Sequence, residues 1–371
     1  MRRIGILMFV VLFCLISTAS PQEQTKHSQF IIFDVPQAGV GNYEGTLGFT
    51  INQAGEVSGW YVDTNYAYHG YLRSPKGDFT TYDVTGGGTG SQQGTQPVIL
   101  SNLGSVAGWY IDLNSVYHGF LRTRDGKITT FDAPGAGLGA NQGTYSGNVS
   151  PLGEIAGSVI DSGYVSHGFL RTPDGWITTF DDPHAGTNSG QGTSVAIPGL
   201  SALGVIAGYY IDANNVYHGF LRTPDGRLTT VDVHGAGDGP GQGSGIGSIN
   251  SEGDVVGDYT DANNTSHAFV RSASGKITKF DVSTAGTMPG QGTFPESNND
   301  VGTVVGYYID ASFVAHGFQR TADGTITTFD VPCNGTSIAQ WVYPTTINVY
   351  GVITGQCLDS NNTWHGFLRN P

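Results

Sequence analysis

One phrase, His-Gly-Phe-Leu-Arg or a close variant of it, recurs seven times in this chain and continues almost to its last residue. Each recurrence is marked by a histidine: His69, His118, His167, His218, His267, His316 and His365. Five of the six intervals between them are 49 residues long and one is 51. A period of this length is typical of repeat proteins in which each repeat is one supersecondary unit. The repeat therefore constrains the fold much more tightly than it constrains the chemistry.

The repeat that contains His218 divides into four extended runs, at 193–198, 205–212, 216–222 and 227–233. Asp-Ala-Asn-Asn and Thr-Pro-Asp-Gly separate the last three runs, and both are turn sequences. Outside the N-terminus, no window has apolar residues at helical spacing. The sequence therefore predicts an all-β chain of four-stranded repeats. Seven such repeats favour a seven-bladed β-propeller.

The two ends of the chain complement each other. The seventh repeat stops at Pro371 without a fourth strand, whereas residues 29–36 read as a fourth strand with no blade before it. We expect this N-terminal strand to complete the last blade and so to close the ring, which would also protect the sheet edges. An open solenoid would usually have atypical capping repeats at its ends. The prediction is a single propeller domain over residues 29–371.

Residues 1–20 have the three parts of a secretory signal peptide: a positively charged start, an apolar run and a small-residue end. A short linker, residues 21–28, follows. We expect a secreted, monomeric protein, extracellular or periplasmic, without a membrane span. The formal net charge of −14 argues against binding to nucleic acid through general electrostatics.

Two cysteines, Cys333 and Cys357, lie in the seventh repeat. An oxidising compartment favours their pairing. We expect a disulfide that strengthens the blade in which the ring closes.

Each repeat also has a histidine in its third strand and an aspartate 14 residues later in its fourth, which a three-residue hairpin would place opposite each other. The histidine of the last repeat would take Asp34 from the N-terminal strand. Metal binding and acid–base catalysis are possible roles, but such histidines lie too far apart to share one metal, and a structural hydrogen bond in each blade is the better interpretation. The expected pairs are His69–Asp83, His118–Asp132, His167–Asp181, His218–Asp232, His267–Asp281, His316–Asp330 and His365–Asp34.

The segments between blades are long and rich in glycine, and they contain Gln-Gly-Thr or Gln-Gly-Ser. Long surface loops on a rigid scaffold are common binding elements, and amides with hydroxyls suit a neutral polar ligand such as a sugar. Equally, the glycines could simply let the chain step between blades. Acids that end the second strand lie near these loops and could bind Ca²⁺, although a short loop offers few oxygens and turn formation is the better default. The candidate ligand-binding residues are Gln93, Gln142, Gln191, Gln242, Gln291, Asp112 and Asp212.

Paired aromatic residues recur in the second strand, as in Trp60-Tyr61 and Tyr209-Tyr210. They could stack on sugars, but packing is expected for at least one member of each pair. Nucleophile-elbow, zinc-protease and phosphate-loop motifs are missing from the sequence. Residues that break the repeat form no clear catalytic constellation, and they include Glu44, His184, His234, Glu252, Glu296 and Trp341.

The chain resembles the HAF-type extracellular repeat family of bacterial exported proteins, whose His-Ala-Phe motif stands here at His267-Ala268-Phe269 and as His-Gly-Phe in other repeats. The resemblance covers nearly all of the chain beyond residue 20. It implies an extracellular or periplasmic, β-rich repeat protein, and it implies no activity and no catalytic residues.

The prediction for function is a non-enzymatic binding module for a glycan or a protein at the cell envelope, acting through the face that carries the glycine-rich loops. Two alternatives stay open at this point. One is a lyase or hydrolase of extracellular polysaccharide, and the other is a purely structural envelope protein.

Overall fold

The computed structural model describes residues 29–333 and 339–371. The predicted signal peptide and linker lie outside the described residues. All regular structure within these ranges is β-strand. No helix there is long and apolar enough to cross a membrane. The all-β prediction is confirmed.

The 28 strands fall into seven units of four antiparallel strands each. The first strand begins at Gly in six units and at Trp in the seventh. The seven first strands are β2 (Gly45–Ile51), β6 (Gly94–Leu100), β10 (Gly143–Val149), β14 (Gly192–Leu200), β18 (Gly243–Ile249), β22 (Gly292–Asn298) and β26 (Trp341–Ile347). The seven second strands are β3 (Val57–Val62), β7 (Val106–Ile111), β11 (Ile155–Ile160), β15 (Ile206–Ile211), β19 (Val255–Thr260), β23 (Val304–Ile309) and β27 (Ile353–Leu358).

The third strand carries the repeated histidine and ends at the repeated arginine, in β4 (Tyr68–Arg73), β8 (Tyr117–Arg122), β12 (Ser166–Arg171), β16 (Tyr217–Arg222), β20 (Ser266–Arg271), β24 (Ala315–Arg320) and β28 (Trp364–Arg369). The fourth strand is short and lies at the outer edge, in β5 (Phe79–Tyr82), β9 (Ile128–Phe131), β13 (Ile177–Phe180), β17 (Leu228–Val231), β21 (Ile277–Phe280), β25 (Ile326–Phe329) and β1 (Phe30–Phe33). We number the units 1 to 7 in the order of their first strands, so that unit 7 contains β26, β27, β28 and β1.

The N-terminal strand supplies the missing fourth strand of unit 7. β1 pairs antiparallel with β28, with Phe30 opposite Arg369 and Phe33 opposite Gly366. One parallel bridge joins the third strand of each unit to the first strand of the next, and the bridge between Gly45 and Trp364 joins unit 7 back to unit 1. The first three strands of all units therefore form a closed, propeller-like circle.

Apolar side chains fill the contacts between neighbouring units. The third strand of every unit places one aromatic ring, such as Phe220, in a fully buried position. Phe220 belongs to a cluster in which Ile206 and Val195 of unit 4 meet Ala156 of unit 3. Seven clusters of this kind exist among the described residues, one for each junction between units. Burial on this scale is the main stabilising term for such a fold.

The repeated arginines belong to the same packing. Arg222 lies over the ring of Phe180 in the preceding unit, with its guanidinium carbon 4.7 Å from the ring centroid. Arg369 lies over Phe329 in the same way, at 4.7 Å. This geometry is a cation–π contact across the junction between units.

A cavity of about 210 Å³ is lined by residues of all seven units and so lies on the axis of the ring. Asparagine side chains bond neighbouring units around it. Asn299 Nδ2 donates to the Asn348 carbonyl at 2.9 Å, and Asn348 Nδ2 donates to the Asn52 carbonyl at 3.2 Å. The second of these bonds joins unit 7 to unit 1, so polar contacts also support the closure.

The predicted disulfide is confirmed. Cys333 and Cys357 are bonded, with their Cα atoms 5.9 Å apart, and both are buried. Cys357 lies on β27, and the bond therefore ties unit 7 to the chain segment that enters it.

Candidate functional site

The predicted histidine–aspartate pairs lie on the outer part of every unit. Histidine Nδ1 is 2.7 to 3.0 Å from the aspartate of the fourth strand in all seven pairs, including His365 with Asp34. Histidine Nε2 faces a second aspartate, at the end of the second strand, at 3.5 to 3.8 Å. In five units a tyrosine stacks on the imidazole, as Tyr210 does on His218 at 4.8 Å. In those five units the imidazole is thus held on three sides.

These contacts raise the pKa of His69 and His365. The bond to Asp83 raises the pKa of His69, against the opposing effect of partial burial. The bond to Asp34 raises the pKa of His365 in the same way. Among the described residues, no group of three or more His, Cys, Asp or Glu side chains could hold a metal ion. The arrangement connects the second, third and fourth strands of each unit.

The two candidate aspartates hold turns. Asp212 Oδ1 accepts hydrogen bonds from the backbone N–H groups of Asn214 and Val216, both at 2.8 Å. Asp112 makes the equivalent bonds to Asn114 and Val116. Each carboxylate is therefore occupied by its own turn, which agrees with the turn interpretation and leaves few oxygens for Ca²⁺.

The five candidate glutamines hold the loops between units from inside. Gln142 is buried, its Oε1 accepts a bond from Gly139 N–H at 2.8 Å, and its Nε2 donates to the Ser162 carbonyl at 3.2 Å. Gln93 and Gln242 make corresponding bonds, while Gln191 and Gln291 are also buried. These bonds hold the loops in place, while the buried Nε2 of Gln291 has no partner among the described residues. Contact of the five glutamines with a ligand stays a prediction.

The glycine that follows each glutamine has a steric role. Gly143 has a φ of 118°, and a Cβ there would lie 2.0 Å from the Tyr117 carbonyl oxygen. At residue 143, therefore, only glycine allows the first strand to start this close to the preceding unit. The glycine-rich loops pack against the turns that follow the second strands, so both emerge on one face, as the sequence indicates.

The first and second strands differ in sequence from unit to unit. One facing pair of residues from these two strands differs in every unit, and we call these pairs the variable layer. The pairs are Leu47–Trp60, Gln96–Trp109, Tyr145–Ser158, Ser194–Tyr209, Gly245–Asp258, Phe294–Tyr307 and Tyr343–Gln356.

A pocket of about 480 Å³ opens in the variable layer around units 2 to 4, and we call it the aromatic pocket. Trp109, Tyr145, Tyr164 and Tyr209 line it. Tyr164 is 44% exposed at the tip of a turn, and its hydroxyl donates to the Ala140 carbonyl at 3.2 Å. The indole N–H of Trp109 is bonded within its own unit, so the rings offer their faces.

The polar lining of the aromatic pocket is uncharged. It includes Asn141 and Ser189 from the glycine-rich loops, and both are exposed. Ser158 and Ser194 add hydroxyl groups from the strands. Aromatic faces beside amides and hydroxyls suit a neutral, hydroxyl-rich ligand.

A second pocket, of about 410 Å³, lies around units 4 to 6, and we call it the acidic pocket. Asp258, Tyr209, Tyr217 and Phe294 line it. Burial raises the pKa of the Asp258 carboxyl to about 6. Burial, together with the nearby charge of Asp258, raises the pKa of Glu296 to about 7.

Glu296 is recognisable in the sequence as a departure from the repeat, whereas Asp258 was not predicted. Asp258 stands where the other units have Trp60, Trp109, Ser158, Tyr209, Tyr307 and Gln356. An alignment of the second strands on one another would have shown this acid as the only charged residue at that position.

No family model and no curated protein matches this sequence. Solved structures match the fold at low identity. The BP39L lectin from Burkholderia pseudomallei superimposes with a TM-score of 0.55 at 7% identity, over 87% of this chain and 96% of the lectin.

Puromycin hydrolase matches with a TM-score of 0.52 at 12% identity over 84% of this chain. A structure from a study of two prolyl endopeptidases matches with a TM-score of 0.53 at 10% identity over 88% of this chain. The chain spans about half the length of each of these two enzymes. At such identities the likeness concerns the fold alone.

Proposed function

We propose that the protein is a secreted carbohydrate-binding module built as a seven-bladed β-propeller. The seven units would be its blades, with β1 completing the last blade. The observation that carries the function is the aromatic pocket, in which ring faces lie beside uncharged amides and hydroxyls. The BP39L structure, which is a lectin by name, supports the proposal of carbohydrate binding because it shares the fold over nearly its whole length. Fold alone does not determine function.

The pocket chemistry favours a neutral sugar. Pyranose rings present apolar C–H faces that stack on aromatic residues, and their hydroxyl groups exchange hydrogen bonds with amides and hydroxyls. Tyr164 provides an exposed ring face and Trp109 a half-buried one. Asn141 and Ser189 make no side-chain hydrogen bond elsewhere in the described part of the chain. Charged side chains are missing from the lining of this pocket.

A glycan array on the purified protein, with and without Ca²⁺, tests the proposal. We expect binding to neutral glycans that does not require Ca²⁺. Tyr164→Asn should weaken binding by roughly 5-fold to 100-fold, because one stacking face is lost. Asparagine suits the site, since Asn215 and Asn264 occupy the same left-handed turn position in other units.

Tyr66→Asn is the matched control. Tyr66 has the same φ of 60° and is 41% exposed, but it lies in unit 1 outside the aromatic pocket. Equal losses in both variants, or no glycan binding at all, would contradict the proposal. Release of reducing sugar from a bound polysaccharide would favour the hydrolase or lyase alternative.

Export is a separate part of the proposal, and the HAF-type resemblance supports it. We expect mass spectrometry of the protein from an exporting host to show a chain that begins near residue 21. An intact Met1 in the exported fraction would contradict it.

A further inference from the structure

The acidic pocket differs from its counterpart in units 2 and 3 by one missing ring. There, Tyr145 stacks on Tyr117 with ring centroids 4.2 Å apart and lies 5.6 Å from the ring of Trp109. In units 4 and 5 the equivalent residue is Gly245, which faces Tyr217 and Tyr209. A Cβ at Gly245 would meet nothing within 4 Å. The replacement of tyrosine by glycine thus leaves an open slot of ring size.

A carboxylate stands at this slot. Asp258 is directly opposite Gly245 across the strand pair, where Ser158 stands opposite Tyr145. Within residues 29–333 and 339–371, the Asp258 side chain has no ion-pair or hydrogen-bond partner on another residue. An uncompensated carboxylate in a partly dehydrated position is costly, and a cation would relieve the cost.

The walls of the slot also suit a cation. Tyr209 and Tyr217 lie with ring centroids 5.4 Å apart, and Phe294 closes the side towards unit 6. Aromatic rings together with a carboxylate are a favourable setting for an ammonium group. The hydroxyls of Thr260 and Ser266 complete the lining with polar groups that suit a sugar.

We infer that the acidic pocket binds a hexosamine residue with a free amino group, placing its ammonium against Asp258 and its ring in the slot left by Gly245. This inference rests on the proposed carbohydrate binding and names a ligand class for a second subsite. Glu296 strengthens the negative potential of the pocket, because its carboxyl lies close enough to Asp258 to feel the Asp258 charge.

The test measures, by titration calorimetry, the affinity of the purified protein for glucosamine oligomers, for N-acetylglucosamine oligomers and for cello-oligosaccharides of the same length. We expect the glucosamine oligomer to bind at least 10-fold more tightly than its acetylated counterpart. Asp258→Asn should weaken this binding roughly 10-fold to 100-fold, as for a charge-assisted hydrogen bond. Gly245→Tyr, which copies unit 3, should abolish it while the melting temperature stays at or above that of the wild type.

Glu252→Gln is the matched charge control. Glu252 lies in the same unit, in an exposed turn, and its substitution removes the same charge. Its glucosamine affinity should stay within about 2-fold of the wild type.

A pH series adds an independent readout. Glu296 and Tyr307 are the titratable side chains that interact electrostatically with Asp258, and Tyr209 and Tyr217 line the same pocket. As the pH rises from 4.5 to 6, the Asp258 carboxyl ionises while the sugar amine, which titrates closer to neutrality, stays mostly charged, so binding should strengthen several-fold. The dependence should be much smaller in Asp258→Asn.

Equal affinity for acetylated and free amino sugars, or full binding in Gly245→Tyr, would overturn the inference. Equal binding of hexalysine would also overturn it, since it would show a general cation site. All three results leave the neutral-sugar proposal untouched, because that proposal is tested through Tyr164 in a different pocket.

Discussion

The outer and inner strands of the units differ in how strictly they repeat. The histidine–aspartate pair on the third and fourth strands is present with nearly the same geometry in all seven units. The variable layer on the first and second strands has a different residue pair in each unit, from Tyr145–Ser158 to Gly245–Asp258. Repeated polar residues here maintain the scaffold, and residues that break the repeat shape the pockets. Substitutions should therefore cost stability in the outer strands and change binding in the inner ones.

The largest effect should come from removing the strand that closes the ring. Deletion of residues 29–36 eliminates β1, the burial of Phe33 and Val35, and the bond between Asp34 and His365. We expect a loss of several kcal/mol in the free energy of unfolding, measured by chemical denaturation. Deletion of residues 21–28 is the control and should have little effect. An unchanged melting temperature after the first deletion would refute the role of β1 in closure.

The disulfide should contribute next. Cys333 and Cys357 close a loop with a sequence separation of 24 residues, and a loop of that length corresponds to about 3 kcal/mol of stabilisation. The double variant Cys333→Ser, Cys357→Ser should lose about this much in chemical denaturation. Wild-type protein treated with reductant serves as a check and should approach the same midpoint. If reductant has no effect on the midpoint, the bond contributes little.

Replacing Asp258 on an inner strand should increase the stability of the fold, unlike the two changes above. The pKa of Asp258 is raised to about 6 from an ordinary value near 4, so between these pH values the folded state binds more protons than the unfolded state. The stability of the wild type therefore falls as the pH rises through this range. Asp258→Asn avoids this penalty and should be about 1–2 kcal/mol more stable at pH 8, with no gain at pH 3. A loss of stability at both pH values would show that the acid is structural.

The smallest effect should come from a single outer pair. The pKa of His365 is raised by Asp34, so the pair stabilises the fold below the ordinary histidine pKa, and the contribution is lost as the pH rises through the raised value. Since Asp34 is about half exposed, solvent screening keeps the effect below about 1 kcal/mol. Between pH 6 and pH 8, the wild type should lose slightly more in melting temperature than His365→Gln. The reverse order would contradict the ion-pair interpretation.

Much of the scaffold could be predicted because it depends on local patterns that are repeated. The period located the strands, the hairpin turn set the distance from each histidine to its aspartate, and the incomplete seventh repeat indicated the pairing of β1 with β28. The glutamines were harder to interpret. Their regular spacing on long loops resembles that of binding residues, but Gln142 folds back into its own loop and is buried. Sequence spacing does not reveal whether an amide points inward or outward.

The sequence by itself determined the class of fold, the number of units, the closure and the disulfide partners, because each follows from a short-range pattern or from matching ends. Only the tertiary structure decided which departures from the repeat act together. Tyr164 and Tyr209, or Gly245 and Phe294, are distant in sequence and come together because the circle brings neighbouring units into contact. Each pocket exists only where neighbouring units meet. The missing side chain at Gly245 leaves a slot only because Tyr209 and Tyr217 of the neighbouring unit form its walls.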